Sequence, residues 1–236
     1  PSVSWQVKNL LPAKGLTMVF GQSGSGKSFW VLDLALTIAQ GHAYGHASAA
    51  KKTQQGKVLV VAAEGFGGMS QRLKAYANRY GTHDLAPEDF RVLGTAPDIS
   101  VAQDIARLRH AIDTQMQGVD LIVLDTLSAT TPSISDENSK EMNRPIATAN
   151  SLIEHYGCSV LIVHHSGKNQ AAGARGWSGL KGAVDAEIEI TREESNGQRA
   201  WQAHVTKAKD GEDGQRLGFE LIPQTVGLDA DNEPVT

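Results

Sequence analysis

Short apolar runs and longer segments of helical period alternate along the first two-thirds of the chain. Leu16 to Phe20 is a short apolar run closing on Gly21, which predicts a strand. Lys27 to Gln40 is apolar on nearly all sides and predicts a helix buried against a sheet, with Gly41 as its stop. Val58 to Ala63 is wholly apolar and β-branched, the pattern of a central parallel strand. Met69 to Tyr80 predicts a helix closed by Gly81, and Phe90 to Leu93 a further short strand. Ser100 with Gln103 reads as a capping box opening a helix whose inner face is Val101, Ile105, Leu108 and Ile112. Leu121 to Leu124 predicts a strand. Met142, Ile146, Ala149 and Ile153 mark a helix ending at Gly157, with Pro145 forcing a kink or a late start. Val160 to Val163 is the last strand of this series. Strand and helix in turn imply an α/β fold built on a mostly parallel, doubly wound sheet.

The period changes after Val184. Val184, Ala186, Ile188 and Ile190 alternate with Asp185, Glu187 and Glu189; Trp201, Ala203 and Val205 follow, then Leu217, Phe219 and Leu221. Asn196-Gly197 and the stretch from Asp210 to Gly214 supply turns. The expectation is a C-terminal antiparallel meander with one solvated face. No internal repeat or second domain is visible. One domain is expected over 1–236, its core from about Trp5 to Pro223 and a polar tail from Gly227 to Thr236.

Composition narrows this picture only slightly. The 236 residues are 40% apolar and 20% charged, ordinary for a globular chain. The net charge of −4 makes a wholly DNA-coated surface improbable, so any nucleic-acid contact must come from local basic loops. The single cysteine, Cys158, lies in an apolar run; it reads as a core residue and excludes an internal disulfide. No apolar stretch reaches bilayer length and no signal peptide is visible, so the expected location is cytoplasmic, with no membrane partner. The chain opens at Pro1 without a methionine, which leaves room for flanking domains.

The chemistry starts at Gly21-Gln22-Ser23-Gly24-Ser25-Gly26-Lys27-Ser28, which fits G-x-x-x-x-G-K-[ST] between a predicted strand and a predicted helix. Glycines let the backbone curl so that its N–H groups face phosphate oxygens, and the helix adds the positive end of its dipole. Lys27 is expected to reach the β- and γ-phosphates of ATP and Ser28 to hold Mg²⁺. Leu121-Ile-Val-Leu-Asp125 places a carboxylate at the carboxyl end of a parallel strand, where ligands bind; Asp125 is expected to hold Mg²⁺ through water. Glu64 closes another strand, and its expected role is to orient or deprotonate the attacking water. His164 and His165 end a third strand. Alternation leaves one of them facing the nucleotide, as a sensor of the γ-phosphate.

Taken in order, Gly21 to Ser28, Glu64, Leu-Asp125-Thr126-Leu, His164-His165 and Arg175-Gly176 resemble the RecA-like hexameric helicases. The likeness is closest to the RepA-type replicative helicases of plasmids and phages and more distant to DnaB. The resemblance implies a RecA-like P-loop NTPase that binds ATP and Mg²⁺ and assembles into a homo-oligomeric ring, a hexamer, on single-stranded DNA, alongside other replication proteins. It implies that Glu64 is the catalytic glutamate, that His165 is the sensor, and that Arg175 is an arginine finger acting on the neighbour's nucleotide. Lys207 and Lys209 resemble a segment that supplies a lysine and an arginine in trans. Here the second position is a lysine, which cannot make arginine's bidentate contact.

Two polar, glycine- and serine-rich stretches, Ala129 to Lys140 and Ser166 to Lys181, fall where such relatives contact DNA, with Lys168 and Lys181 as candidate phosphate contacts. A RecA-like ATPase that does not translocate, such as a recombination mediator or a clock-type switch, would share every phosphate-site residue. A small-molecule P-loop kinase is the more distant alternative, disfavoured by the strand-end Glu64 and the meander. The absence of an Asn-Lys-x-Asp motif disfavours a GTPase.

Overall fold

The structure is a computed structural model that describes residues 4–45, 49–81, 85–136, 139–166, 178–195, 197–228 and 230–236. The elements in chain order are β1 (Trp5–Val7), β2 (Leu11–Pro12), β3 (Gly15–Gly21), α1 (Lys27–Gln40), β4 (Val58–Ala62), α2 (Met69–Tyr80), β5 (Phe90–Leu93), α3 (Ala102–Gln115), β6 (Leu121–Asp125), α4 (Asn143–Tyr156), β7 (Ser159–His165), α5 (Ser178–Ala183), β8 (Ala186–Ser195), β9 (Gln198–Ala208), β10 (Arg216–Phe219), β11 (Gly227–Leu228) and β12 (Pro234–Val235). Among the described residues, one sheet carries eight strands in the order β10-β9-β8-β3-β7-β6-β4-β5. β3 to β8 run parallel, as their neighbour pairings show, and β9 and β10 run antiparallel.

Alternation along the strands divides the core into two layers. Val19, Val58, Val60, Leu121, Val123, Leu161 and Val163 face α1, which buries Trp30, Leu34, Ile38 and their neighbours on this side. Met18, Phe20, Leu59, Val61, Ile122, Leu124, Val160 and Ile162 face the other way, against Leu108 and Ile112 of α3 and Ile146, Ala149 and Leu152 of α4. Cys158 belongs to this second layer, and burial pushes its thiol up to about 12. Among the described residues, no helix is long and apolar enough to cross a membrane.

Helix ends follow their sequence signals in most places. Gly41, Gly81 and Gly157 take left-handed conformations behind α1, α2 and α4. Pro145 resolves as a late start: α4 begins at Asn143, so the ring sits in the first turn, where no intrahelical N–H bond is lost. Two expectations need correction, the capping box and the exposure of Glu187. The capping box does not form; Val101 is the N-cap of α3, and the Ser100 hydroxyl turns to Asp98 instead. β8, β9 and β10 form the expected antiparallel meander, which joins the main sheet because β8 lies parallel to β3. Glu187, expected on a solvated face, is buried, because β8 is flanked on both sides and its second face is covered by α5. The tail from Gly227 carries a two-stranded ribbon, β11 with β12.

Candidate functional site

The strand registers place the predicted residues together. Gly21 lies opposite His165, Asp125 opposite Val163, and Ala62 opposite Asp125, so four parallel strands end side by side at one rim. The site is therefore set out by sheet registry and does not depend on any long loop. Glu64 follows β4 by two residues, and its backbone N–H donates to the Asp125 carbonyl at 3.1 Å, which pins the turn beside the strand end. The Ser166 N–H in turn donates to the Gly21 carbonyl at 3.0 Å, tying the end of β7 to the first glycine of the loop.

The loop Gly21 to Ser28 curls because two glycines adopt positive φ, 75° at Gly24 and 91° at Gly26. Gly26 is the N-cap of α1, so the first amides of the helix open toward the rim. A Cβ at Gly26 would touch Trp201 and Leu221, each at 3.4 Å, so the hairpin strand packs against the back of the loop. Lys27 is buried and donates from Nζ to the carbonyls of Gly21 at 2.9 Å and Gln22 at 2.7 Å. Burial lowers its affinity for the proton, while Asp125 and Glu64 oppose that shift.

Asp125 is buried on the same face of the sheet as α1. Burial pushes its carboxyl above the usual range, Ser28 donates a hydrogen bond that opposes the shift, Glu64 adds to it, and Arg72 and Lys27 reduce it. Its Oδ1 has no hydrogen-bond partner among the described residues. A buried, orphaned carboxylate oxygen beside a serine hydroxyl fits a hard divalent cation that borrows its remaining ligands from water and phosphate. Among the described residues no three His, Cys, Asp or Glu side chains form a metal-holding group, so such a cation would depend on the phosphates of its substrate.

Glu64 and His165 approach each other across the rim, Oε2 to Nε2 at 3.8 Å, with the Glu64 side chain about half exposed. His164 points the other way and is buried, so alternation on β7 selects His165 as the histidine beside Glu64. Arg72 was not singled out in the sequence. It rises from the first turns of α2, lies over the Phe29 ring at 4.9 Å, and would meet a Cβ on Gly65 at 3.3 Å. It also acts on Asp125 electrostatically. Its signal was available: α2 starts five residues after Glu64, so a cation in its first turns must lie near that strand end.

The remaining candidates divide. Arg175 and Lys168 lie outside the described residues. Lys181 is exposed and 3.4 Å from Glu187. Lys207 and Lys209 are both held within the chain, Lys207 by carbonyls of residues 181–184 and Lys209 by Asp185, so neither ammonium stands free in the isolated chain.

Comparisons with known proteins agree with this architecture. A family profile described as AAA domain matches residues 1–171. No curated protein matches the chain. Among solved structures, the RadB recombinase superposes with a TM-score of 0.62 at 15% identity, over 88% of this chain and 87% of its own. A KaiC-like protein from the hyperthermophilic archaeon Pyrococcus horikoshii OT3 superposes with a TM-score of 0.63 at 12% identity, over 91% and 89%. The chain belongs to the AAA domain family, and its fold is that of the RecA-like P-loop ATPases.

Proposed function

We propose that this chain hydrolyses ATP at a site shared between copies and uses it to drive a ring-forming, hexameric helicase motor along single-stranded DNA in phage or plasmid replication. The observation that carries this reading is the meeting of Lys27, Asp125, Glu64 and His165 at the ends of adjacent strands. Glycine-loop amides and the N-terminus of α1 receive the phosphate chain. Lys27 exchanges two loop carbonyls for β- and γ-phosphate oxygens, a gain because charge-assisted bonds are about twice as strong as neutral ones. Mg²⁺, held by Ser28 and by Asp125 through water, would neutralise charge on the β- and γ-oxygens.

Glu64 is the only carboxylate of this set with open access to solvent, so it is the group that orients water for attack on the γ-phosphorus. His165, beside it, is the group that senses whether the γ-phosphate is present. Arg175 of a neighbouring copy supplies the charge that stabilises the transition state, a contribution of roughly 10³ to 10⁵ in rate. Lys168 and Lys181 are the proposed DNA contacts, and Lys207 and Lys209 the lysines that reach a neighbour's nucleotide.

Glu64→Gln tests the core of this reading. ATP binding should persist while turnover falls at least about a hundredfold; unimpaired hydrolysis would remove Glu64 from its role. The likeness to the RadB recombinase favours a second reading, a RecA-like ATPase that acts as a recombination mediator without translocating. Strand displacement on a forked DNA separates the two. ATPase rate with and without single-stranded DNA, at a concentration where the mass is known, tests both against a nucleotide binder that has no DNA partner.

A further inference from the structure

Glu64 opens a turn that has little of its own to hold it. The sequence there is Glu64-Gly65-Phe66-Gly67-Gly68, so three of the four residues after the carboxylate are glycines, whose backbones lose the most freedom on ordering. On one side the turn is tied to β6: the N–H groups of Ala63 and Glu64 both donate to the Asp125 carbonyl, at 2.8 and 3.1 Å. Within itself it closes a single helical turn over Phe66–Gly68, with the Gly68 N–H donating to the Gly65 carbonyl at 3.1 Å. On the other side lies β5, and the tie there is a side chain.

Val61 of β4 is level with Leu93 of β5, so Gly94 is the first residue beyond β5, abreast of the end of β4. The tip of the Phe66 ring lies over it. A Cβ on Gly94 would stand 2.5 Å from Cζ and 2.6 Å from Cε1 and Cε2 of that ring, so the ring fills the space where any other residue would carry its side chain. Gly94 does not take a positive φ, so its backbone makes no demand for glycine; the ring does. Phe66 is nonetheless half-exposed and adds little to the core. Its contact fixes where its own turn sits, and that turn begins at Glu64.

We propose that Phe66 and Gly94 form a pin that holds the 65–68 turn against β5 and so sets the position of the Glu64 carboxylate. This rests on the reading that Glu64 orients the attacking water. Phe66 is a positioning residue, acting through Glu64. A misplacement of about 1 Å can cost on the order of 10²-fold in rate. A turn released from β5 but still tied to β6 should therefore slow turnover without weakening the grip of the Gly21 to Ser28 loop on ATP.

Steady-state kinetics on the full chain test it. Gly94→Ala inserts a methyl group where the ring tip lies, and Phe66→Ala removes the ring. Each should lower kcat about tenfold and leave the KM for ATP within about twofold, with Tm close to that of wild type. Adding Phe66→Leu to Gly94→Ala should restore much of the rate, because the shorter side chain gives the methyl group room. In a Glu64→Gln background neither Gly94→Ala nor Phe66→Ala should slow turnover further. Wild-type kcat in either single variant overturns the pin and leaves Glu64 in its role. The same loss with Glu64→Gln in place, or a KM that rises as kcat falls, marks a general structural effect and also overturns the pin. Unimpaired hydrolysis by Glu64→Gln alone removes the role of Glu64, and the inference with it. If Phe66→Ala does not fold, Gly94→Ala and its Phe66→Leu combination carry the same comparison.

Discussion

Asp125 holds a charge that folding alone disfavours. Burial raises its pKa, with Glu64 adding to the shift, while Ser28, Arg72 and Lys27 only partly compensate. Its folded pKa lies above the unfolded value, so the native state binds more protons between the two, and stability of the free protein falls as pH rises through that window. Above it the full cost remains. Asp125→Asn removes the charge but keeps an acceptor for Ser28. The expected outcome at neutral pH, without nucleotide, is a gain of about 1 kcal/mol, or roughly 2–4 °C in Tm. The same variant should lose Mg²⁺-dependent turnover. A melt that moves downward would show that the carboxylate serves the fold. Arg72 makes the opposite kind of contribution. Its guanidinium lies over Phe29 and acts on Asp125 electrostatically, where a triphosphate would add more negative charge. Arg72→Met keeps the aliphatic stem and should raise the KM for ATP about tenfold, with a smaller change in kcat, as expected where one charge contact of about 1.4 kcal/mol serves binding. An unchanged KM would remove Arg72 from the site.

At the scale of elements, legibility followed how local the signal was. α1 and α2 begin and end where periodicity and their closing glycines place them, because those signals act within one turn. Asp125, Glu64 and His165 were readable because each ends an apolar run, and Lys27 because it closes the glycine loop that follows one; parallel strands in register bring these run-ends together. Arg72 was not readable from period alone; nothing in the helix itself says that it packs over Phe29. Ser100 misled for the same reason. Its local spacing to Gln103 offered a cap, but Asp98 offered a stronger acceptor. Asp98 accepts from the Ser100 N–H and hydroxyl and from the Ser133 N–H, which joins the start of α3 to the turns after β6. Burial raises the Asp98 pKa, but the bonds from Ser100 and Ser133 outweigh it and leave the carboxyl below its ordinary value. A depressed folded pKa means stability that is present above the unfolded value and lost as pH falls through the folded one. Asp98→Ala removes the acceptor of two part-buried hydrogen bonds to a charged group and should cost about 2 kcal/mol in denaturant melts at neutral pH, with the difference shrinking on acidification. Gln103→Ala should stay within about 0.5 kcal/mol, since no cap depends on it. If the two costs were reversed, the capping box would be reinstated.

At the scale of the molecule, the question is whether one chain can complete its own site. The rim of the sheet brings together the Gly21 to Ser28 loop, Asp125 and Glu64, and the charges acting on Asp125 there include those of Arg72 and Lys27. An added arginine from a neighbour would make the contact heterologous, each copy giving one surface and receiving another, which closes into a ring where the rotation between copies closes and runs on as a filament where it does not. Such a site has a signature in mixtures. On the proposed function, Glu64→Gln chains lack the carboxylate that orients water but keep Arg175. Arg175→Ala chains lack the finger but keep Glu64. Each alone should be inactive. Mixed in equal amounts and reassembled, an interface is intact when an Arg175→Ala chain gives the pocket and a Glu64→Gln chain gives the finger. Random assembly makes that about one interface in four, so the mixture should recover about a quarter of wild-type ATPase. Site-by-site independence gives that fraction; strict coordination around a ring would give less, but still more than either variant alone. A mixture with only the summed rates of its parts would mean that each chain completes its own site, and Arg175 would lose its assigned role while Glu64 kept its own.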